Sequence, residues 1–241
     1  QAITKFLPSV AGRLMERETG VLSQALDAPK MPLGAVIGGS KISSKLGTLE
    51  NLVTKVQYLF VGGAMANTFL IAQGRNVGNS FFEAQMTEVV NDILVEASKH
   101  GCEVIIPKDV VVAEALEPNI ETETVSVDHV PQGKMILDVG IISVTELEKI
   151  FETCRTILWN GPLGAFEVPP FEAGTTAAAR KVAELTCGGK LMSVAGGGDT
   201  VAALEIAGVA GEFSYISMAG GAFLEWLEGR TLPGVEALRD Y

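Results

Sequence analysis

The chain has 241 residues, of which 47% are hydrophobic and 6% aromatic, enough to fill a substantial aliphatic core. Its formal net charge of −11 argues against nonspecific binding to nucleic acids or anionic membranes, because no basic surplus exists to neutralise their phosphates. The three cysteines are widely spaced and form no CxxC pattern, which disfavours a disulfide framework or a zinc site and favours three buried thiols. With no signal-like or membrane-spanning apolar run, we expect a cytoplasmic protein that binds neither nucleic acid nor membrane.

The first predicted element is a long helix. Apolar residues recur at helical spacing from about Ala2 to Leu26, and Pro8 marks either the true first turn or a kink. The stretch "DAPKMP" ends this pattern. We therefore predict a helix within residues 1–27, followed by one α/β domain over residues 28–241.

Short apolar runs then alternate with segments of helical spacing. The runs predicted as strands are "LGAVIGG", "QYLFVGG", "CEVIIP", "KMILDVG", "TILWNGP", "KLMSVAGGG" and "YISMAGG". The predicted helices between them cover residues 44–56, 82–100, 144–153, 172–185 and 200–207. The stretch "VVVAEALEPNIETETVSVDHV" breaks the alternation and predicts a small antiparallel excursion. This order predicts an α/β fold with an open, mostly parallel, Rossmann-like sheet and helices on both faces.

Glycine follows at least five of these strands, at the edge of an α/β sheet where ligands bind. In "AGGGDTVAAL", Gly196, Gly197 and Gly198 can adopt positive φ and would expose successive N–H groups to a phosphate, and the helix expected near Thr200 would add its positive end. Asp199 offers an oxygen ligand for Mg²⁺ at the same place. The alternative is that Asp199 only caps the helix.

A lysine pair lies in the stretch "GGSKISSKLGTLENL". Lys41 and Lys45 are four residues apart at an expected helix start, beside Gly38 and Gly39, and would project on one face. Two ammonium groups there repel each other and the helix dipole unless an anion lies between them. A polyphosphate would relieve that repulsion, whereas the alternative is two solvated surface lysines.

Two further strand ends carry candidate ligand contacts. In "ILWNGPLGAFE", Asn160 is placed to donate to a phosphate and Glu167 to accept from ribose hydroxyls, the alternative being a rigid turn with a capping glutamate. In "YLFVGGAMANTFL", Gly62 and Gly63 leave flat space for a base, or only allow a helix to pack closely on a strand.

Other common site patterns are missing from the sequence. It contains no GxxxxGK[ST] loop, no GxGxxG after a strand and no GxSxG turn. His100 and His129 fall at a helix end and in a polar stretch, away from the glycine edge, so we expect both at the surface.

Five motifs occur together in one order: "GGSKISSKL", "VGGAMANTFL", "LWNGPLGAFE", "AGGGDTVAAL" and "GGAFLEWLEG", the last followed by "LPGVEAL". In these motifs the chain resembles the C-terminal, nucleotide-binding half of the phosphoglycerate kinase family, over essentially its whole length. The resemblance implies a glycolytic phosphotransferase that uses ATP or ADP with Mg²⁺. Its reaction is the reversible transfer of a phosphoryl group between 1,3-bisphosphoglycerate and ADP, which gives 3-phosphoglycerate and MgATP.

The resemblance also implies roles for individual residues. Lys45 would contact the nucleotide phosphates and Lys41 the phosphoryl group in transfer, while Asp199 would help to hold Mg²⁺. Asn160 would contact the phosphates and Glu167 the ribose. The other implied nucleotide contacts are Gly39, the phosphate-cradling Gly197, Gly198 and Thr200, and the lining of the base and sugar pocket, Gly38, Gly62, Gly63, Leu137, Gly140, Pro162 and Ala165.

Two departures from the family pattern affect these expectations. The N-terminal half that binds the phosphoglycerate substrates is absent from these 241 residues, so we expect little activity from the isolated chain and exposed apolar side chains at Phe6, Leu7 and Val10. In "SMAGGAF", Met218 replaces a threonine of the family pattern, so the resemblance implies no contact from a hydroxyl group in the cleft at this position. The full-length family is expected to be monomeric. The alternatives are a non-catalytic purine-nucleotide module and a dinucleotide oxidoreductase, against which the missing GxGxxG fingerprint argues.

Overall fold

Strands and helices alternate along the chain in a computed structural model that describes residues 4, 6–7 and 9–238. The helices are α1 (Arg13–Leu26), α2 (Leu46–Leu52), α3 (Ala64–Ala72), α4 (Thr87–His100), α5 (Ile141–Thr153), α6 (Ala173–Cys187), α7 (Gly198–Ile206), α8 (Gly220–Leu227) and α9 (Pro233–Glu236). The strands are β1 (Leu33–Ile37), β2 (Tyr58–Val61), β3 (Glu103–Ile105), β4 (Asp109–Ala113), β5 (Glu123–Ser126), β6 (Met135–Val139), β7 (Thr156–Asn160), β8 (Met192–Gly196) and β9 (Tyr215–Ser217).

Six of the strands form one parallel sheet in the order β3-β2-β1-β7-β8-β9. The chain moves outward from β1 on one side and outward from β7 on the other, so the strand order reverses between these two central strands. In open α/β sheets ligands bind at such a reversal, beyond the carboxyl ends of the strands. The fold therefore confirms the predicted sheet type and points to the edge near Ile37 and Asn160.

Helices cover both faces of this sheet, as predicted. Alternate residues of a strand point to opposite faces, and in β1 Ala35 and Ile37 enter one core while Val36 enters the other. The first core receives side chains from α1, α2, α3, α4 and α8, and the second receives them from α5, α6 and α7. Every residue of β1 and of β7 is buried, which explains why these strands are continuous apolar runs.

A second, antiparallel sheet has the order β5-β4-β6. Its first two strands confirm the predicted antiparallel excursion. The placement of "KMILDVG" among the parallel strands is wrong, because its strand β6 pairs with β4. An apolar run identifies a strand but not its partner, and β6 joins the small sheet because Val110 and Val112 of β4 share a core with its Ile136.

The first helix is shorter than predicted. It begins at Arg13 and not near Ala2, because Gly12 is extended with φ −70° and ψ 157°. Ala2 and Pro8 lie outside the described residues, so the alternatives for Pro8 stay open. The side chains of Phe6, Leu7 and Val10 are exposed, which confirms that expectation, and the division at residue 27 stays a prediction.

Helix α3 has no counterpart among the predicted helices. Its sequence "AMANTFLIA" is apolar on nearly every side, and residues 65–70 are all buried, so the polar face that marks a surface helix is missing. None of the described helices is long and apolar enough to cross a membrane.

Two of the three cysteines meet expectation. Cys102 and Cys154 are buried, and burial raises the pKa of each thiol to about 11. The prediction of a buried thiol is wrong for Cys187, which is exposed because it is the last residue of α6.

Candidate functional site

The carboxyl ends of β1 and β7 are joined by hydrogen bonds beyond the sheet. The Gly38 N–H donates to the Asn160 carbonyl oxygen at 2.9 Å. The Lys45 ammonium nitrogen Nζ bridges the same two strand ends, since it donates to the Gly38 oxygen at 2.7 Å and to the Asn160 oxygen at 3.1 Å. The lysine therefore lies at the point where the strand order reverses.

The buried position of Lys45 affects the pKa of its ammonium group. Burial lowers the pKa of its ammonium group to about 8, although the nearby Asp199 carboxylate opposes that effect. An ammonium group has three N–H donors, and two of them are used by the strand-end carbonyls. One donor remains for an anion.

The two lysines do not share a helix face, so that prediction is wrong. Helix α2 begins at Leu46, which leaves both lysines in the preceding turn, here called the lysine loop (residues 38–45). Lys41 is exposed, whereas Lys45 turns back toward the strand ends. The sequence pattern missed this because the loop is held by Glu83, a residue 40 positions from Ser43.

The three glycines after β8 lead directly into α7. That helix begins at Gly198, two residues earlier than predicted. Of the three glycines only Gly197, its N-cap, has a positive φ, +98°, because Gly196 still belongs to β8 and Gly198 already belongs to α7. Asp199 thus lies inside the first turn, and its exposed carboxylate accepts no hydrogen bond from the described residues. The alternative that it serves as the N-cap is wrong.

Thr200 and Asn160 connect the glycines that follow β8 to the end of β7. The buried Thr200 hydroxyl accepts the Gly161 N–H at 2.7 Å and donates to the Gly196 carbonyl at 2.9 Å. The Asn160 amide nitrogen Nδ2 donates to the same carbonyl at 2.7 Å, while its buried Oδ1 has no partner in the described part of the chain. A phosphate contact from Thr200 would therefore use its main-chain N–H, one of those that a helix leaves free in its first turn. We call Lys45, Asn160 and residues 198–200 the polar edge.

An apolar cavity of about 620 Å³ adjoins the polar edge. Its walls come from α3, from β6 and from the loop that follows β7. Apolar side chains that line it are Leu70, Phe81, Val110, Leu116, Leu137, Leu163 and Phe166. Asp199 of the polar edge also borders the cavity.

The structure separates the predicted site residues into three groups. One group lies outside the cavity lining, in the lysine loop, at the end of β7 and at the start of α7: Lys41, Lys45, Asn160, Gly197, Gly198 and Thr200. Those that line the cavity are Gly39, Gly63, Leu137, Pro162, Ala165, Glu167 and Asp199. Gly38, Gly62 and Gly140 lie behind its walls, where close packing explains them. A Cβ atom would lie 1.9 Å from the Pro162 oxygen at Gly38, 2.6 Å from the Leu163 side chain at Gly62 and 2.2 Å from the Asp109 carboxylate at Gly140.

Several cavity residues were not predicted from the sequence. Asp138 is the most unusual, because it is 2% exposed and burial raises the pKa of its carboxyl to about 7. Its oxygens accept the Val139 N–H at 2.8 Å and the Gly174 N–H at 2.7 Å, which ties β6 to the start of α6. An acidic residue within the apolar run "MILDV" is the signal that was available.

Three other residues complete the comparison with the sequence. His100 and His129 are exposed and do not line the cavity, as expected. Met218 is 80% exposed and also lies outside the cavity lining.

The fold and the site define a class: a doubly wound α/β protein with an apolar cavity and a polar edge where the strand order reverses. The chain belongs to the phosphoglycerate kinase family, since the family model described as "Phosphoglycerate kinase" matches residues 1–230.

Similar proteins agree with this assignment. The chain is 54% identical over 239 residues to a phosphoglycerate kinase of Methylorubrum extorquens (strain PA1), covering 99% of this chain and 60% of that protein. It is 55% identical over 238 residues to one of Ruegeria pomeroyi, with 99% and 60% covered. The solved phosphoglycerate kinase structure from Coxiella burnetii superposes with a TM-score of 0.92 at 42% identity, covering 95% of this chain and 58% of that one. The chain thus spans about three fifths of these relatives, and none of them favours a non-catalytic module.

Proposed function

We propose that this chain provides the nucleotide-binding part of a phosphoglycerate kinase. In the proposed reaction a phosphoryl group moves reversibly between 1,3-bisphosphoglycerate and ADP, which gives 3-phosphoglycerate and MgATP. The observation that carries the proposal is the contact between the two parts of the site: Asp199 borders the apolar cavity and also belongs to the polar edge. A nucleotide with its base in the cavity would bring its phosphates to that edge.

The residues of the polar edge suit a polyphosphate. The first turn of α7 presents main-chain N–H groups and the positive end of the helix dipole, and the third donor of Lys45 is available beside it. Phosphoryl transfer spreads negative charge over the equatorial oxygens, and fixed donors around them stabilise that charge. Exposed Lys41 is the proposed contact of the phosphoryl group in transfer.

The residues present also fit Mg²⁺. This ion prefers oxygen ligands and is usually held by one or two carboxylates together with phosphate oxygens and water. Among the described residues no cluster of three His, Cys, Asp or Glu side chains could hold a metal by itself. Asp199, whose carboxylate accepts no hydrogen bond there, would supply the protein oxygen. When bound, the metal neutralises phosphate charge.

Roles for the remaining residues are proposed on the same basis. Glu167 is exposed on the cavity wall and is the proposed acceptor for the ribose hydroxyls. Leu137 and Ala165 are joined by a main-chain hydrogen bond of 2.8 Å and would pack on the base and sugar. The phosphoglycerate substrates are proposed to bind in the part of the relatives that these residues do not cover, so little turnover is expected from the chain alone.

Calorimetric titration with ADP, with and without Mg²⁺, tests the proposal. We expect binding that Mg²⁺ strengthens, and loss of most of that gain in Asp199→Asn, about tenfold, because the variant removes the metal's carboxylate. Asp92→Asn on α4 makes the same charge change at an exposed position outside the cavity lining and is the matched control. Absence of ADP binding, or tight binding of NAD in its place, would contradict the proposal.

A further inference from the structure

The middle of the lysine loop is held by a carboxylate from a distant segment. Glu83 Oε1 accepts the Ser43 hydroxyl at 2.5 Å, and Glu83 Oε2 accepts the Ser43 N–H at 3.1 Å. The N–H of Ile42 also interacts with this carboxylate. Three donors from two adjacent residues therefore converge on one side chain. These two residues lie between Lys41 and Lys45 in the sequence.

Glu83 is itself fixed to the wall of the apolar cavity. Its N–H donates to the Thr68 hydroxyl at 3.1 Å, and the Asn67 side chain donates to the Phe81 carbonyl at 3.0 Å. Asn67 and Thr68 belong to α3 and are each 1% exposed. Because Asn67 and Phe81 both line the cavity, Glu83 connects the cavity wall to the lysine loop.

The carboxylate of Glu83 is an unusual choice for this position. The residue is 6% exposed, and burial by itself would raise the pKa of its carboxyl group. The hydrogen bonds from Ser43 and Ile42, together with the positive charge of Lys41, outweigh burial and hold that pKa below its ordinary value. A negative charge near the proposed phosphate site would repel that ligand unless donors neutralise it. The three donors of the lysine loop neutralise the Glu83 carboxylate in this way.

We propose that Glu83 is a positioning residue that acts through Ser43 to fix the lysine loop against the cavity wall. This inference rests on the proposed function, because it concerns how the loop meets the phosphates of a nucleotide. It makes binding of the phosphates, and not of the base and sugar, depend on Glu83. A residue that only stabilises the fold would change the two kinds of binding equally or leave both unchanged.

The test compares two probes, ADP with Mg²⁺ and adenosine, by calorimetry and ligand-observed NMR. In Glu83→Gln one acceptor oxygen is replaced by a donor, and we expect about a tenfold loss of MgADP affinity, the effect typical of a lost hydrogen bond to a charged group. Adenosine affinity should stay within about twofold of the unsubstituted protein, because adenosine has no phosphate to meet the loop. Glu88→Gln is the matched control, since Glu88 is exposed on the first turn of α4.

Ser43→Ala provides a second variant that keeps the buried carboxylate. Ser43 is exposed and its hydroxyl makes one of the three contacts, so the fold should persist and MgADP affinity should fall by a few-fold. In the double variant the two effects should not add, because both remove the same contact. Unchanged MgADP affinity in both single variants, or equal losses for MgADP and adenosine, would overturn the inference while wild-type binding upholds the proposed function. Failure of the unsubstituted protein to bind MgADP would overturn both.

Discussion

The polar edge and the apolar cavity adjoin each other but are built in different ways. The polar edge depends on main-chain atoms at fixed distances: Lys45 and Thr200 each bind two backbone groups, and a Cβ atom at Gly38 would lie 1.9 Å from the Pro162 oxygen. The cavity is lined mainly by side chains, and some of them, such as Leu116 at 48% and Phe81 at 52%, are half exposed. Backbone spacing is nearly incompressible, whereas side chains adopt other rotamers. A single substitution at the polar edge should therefore cause a large loss of stability or nucleotide affinity, whereas one in the cavity wall should cause a small loss.

Gly38→Ala is expected to have the largest effect on stability and on MgADP binding. The new methyl group meets the Pro162 carbonyl, which is backbone and cannot rotate away, so the strand ends must separate. We expect a loss of about 3 kcal/mol or more in unfolding free energy, with a fall in melting temperature of roughly 6–12 °C. MgADP binding should disappear with it, since the bridge from Lys45 to the Gly38 and Asn160 carbonyls is broken.

Gly221→Ala is the control for that variant. Gly221 lies in the first turn of α8, and a Cβ atom there meets nothing within 4 Å. Alanine favours a helix over glycine, so this protein should be as stable as the original or more stable. Thermal unfolding of the two variants side by side decides the matter, and equal stability would show that the strand ends are not closely constrained.

The pH dependence of MgADP binding tests the polar edge alone. Lys45 has a pKa of about 8 in the free protein, and a bound phosphate raises it because opposite charges favour the ammonium form. Below pH 8 the lysine is already charged and its titration should not alter the affinity. Above pH 8 binding must take up a proton, so affinity should fall by up to about tenfold for each pH unit.

Calorimetry in buffers of different ionisation enthalpy measures that proton uptake directly. In Lys45→Met the uptake above pH 8 should vanish, and the remaining weak binding should no longer depend on pH in this range. Adenosine binding in the cavity should not respond to pH between 7 and 9 in either protein. Uptake that persists in Lys45→Met would assign the titration to another group.

Sequence patterns predicted much of the parallel sheet because its central strands are buried on both faces. Each is an apolar run followed by glycine or a polar turn, and this signal is local. The partner of β6 and the existence of α3 were missed for the opposite reason, since strand pairing and the burial of a helix on all sides depend on distant residues. The same limit explains the start of α1, where Gly12 ends a helical pattern that local periodicity would continue.

For the site, sequence patterns were most informative where backbone conformation sets the residue type. Gly63 and Gly197 have positive φ values of 67° and 98°, and both were selected from their glycine runs. Asp138 and Glu83 were not selected, because their importance comes from contacts with Gly174 and Ser43, at separations of 36 and 40 residues. The order of motifs identified the family, but it did not indicate which residues hold the lysine loop.

Leu137→Ala tests the cavity side of the comparison and has the smallest expected effect. Leu137 is half-buried on the cavity wall, and only its main chain bonds to Ala165, so that contact survives the substitution. Loss of part of an apolar wall should weaken adenosine and MgADP by the same factor, about three- to tenfold, because both would rest their base there. The Mg²⁺ dependence and the pH dependence should stay as they are.

Leu137→Met is the matched control for this substitution, since it keeps nearly the same volume and apolar character and should bind both ligands almost normally. Competition titrations with adenosine and MgADP on the two variants give the two ratios directly. A larger loss for MgADP than for adenosine would mean that Leu137 also affects the polar edge. The two regions would then not contribute independently to nucleotide binding. Equal losses in Leu137→Ala, set against the selective loss in Glu83→Gln, would establish that the cavity and the lysine loop contribute separately to nucleotide binding.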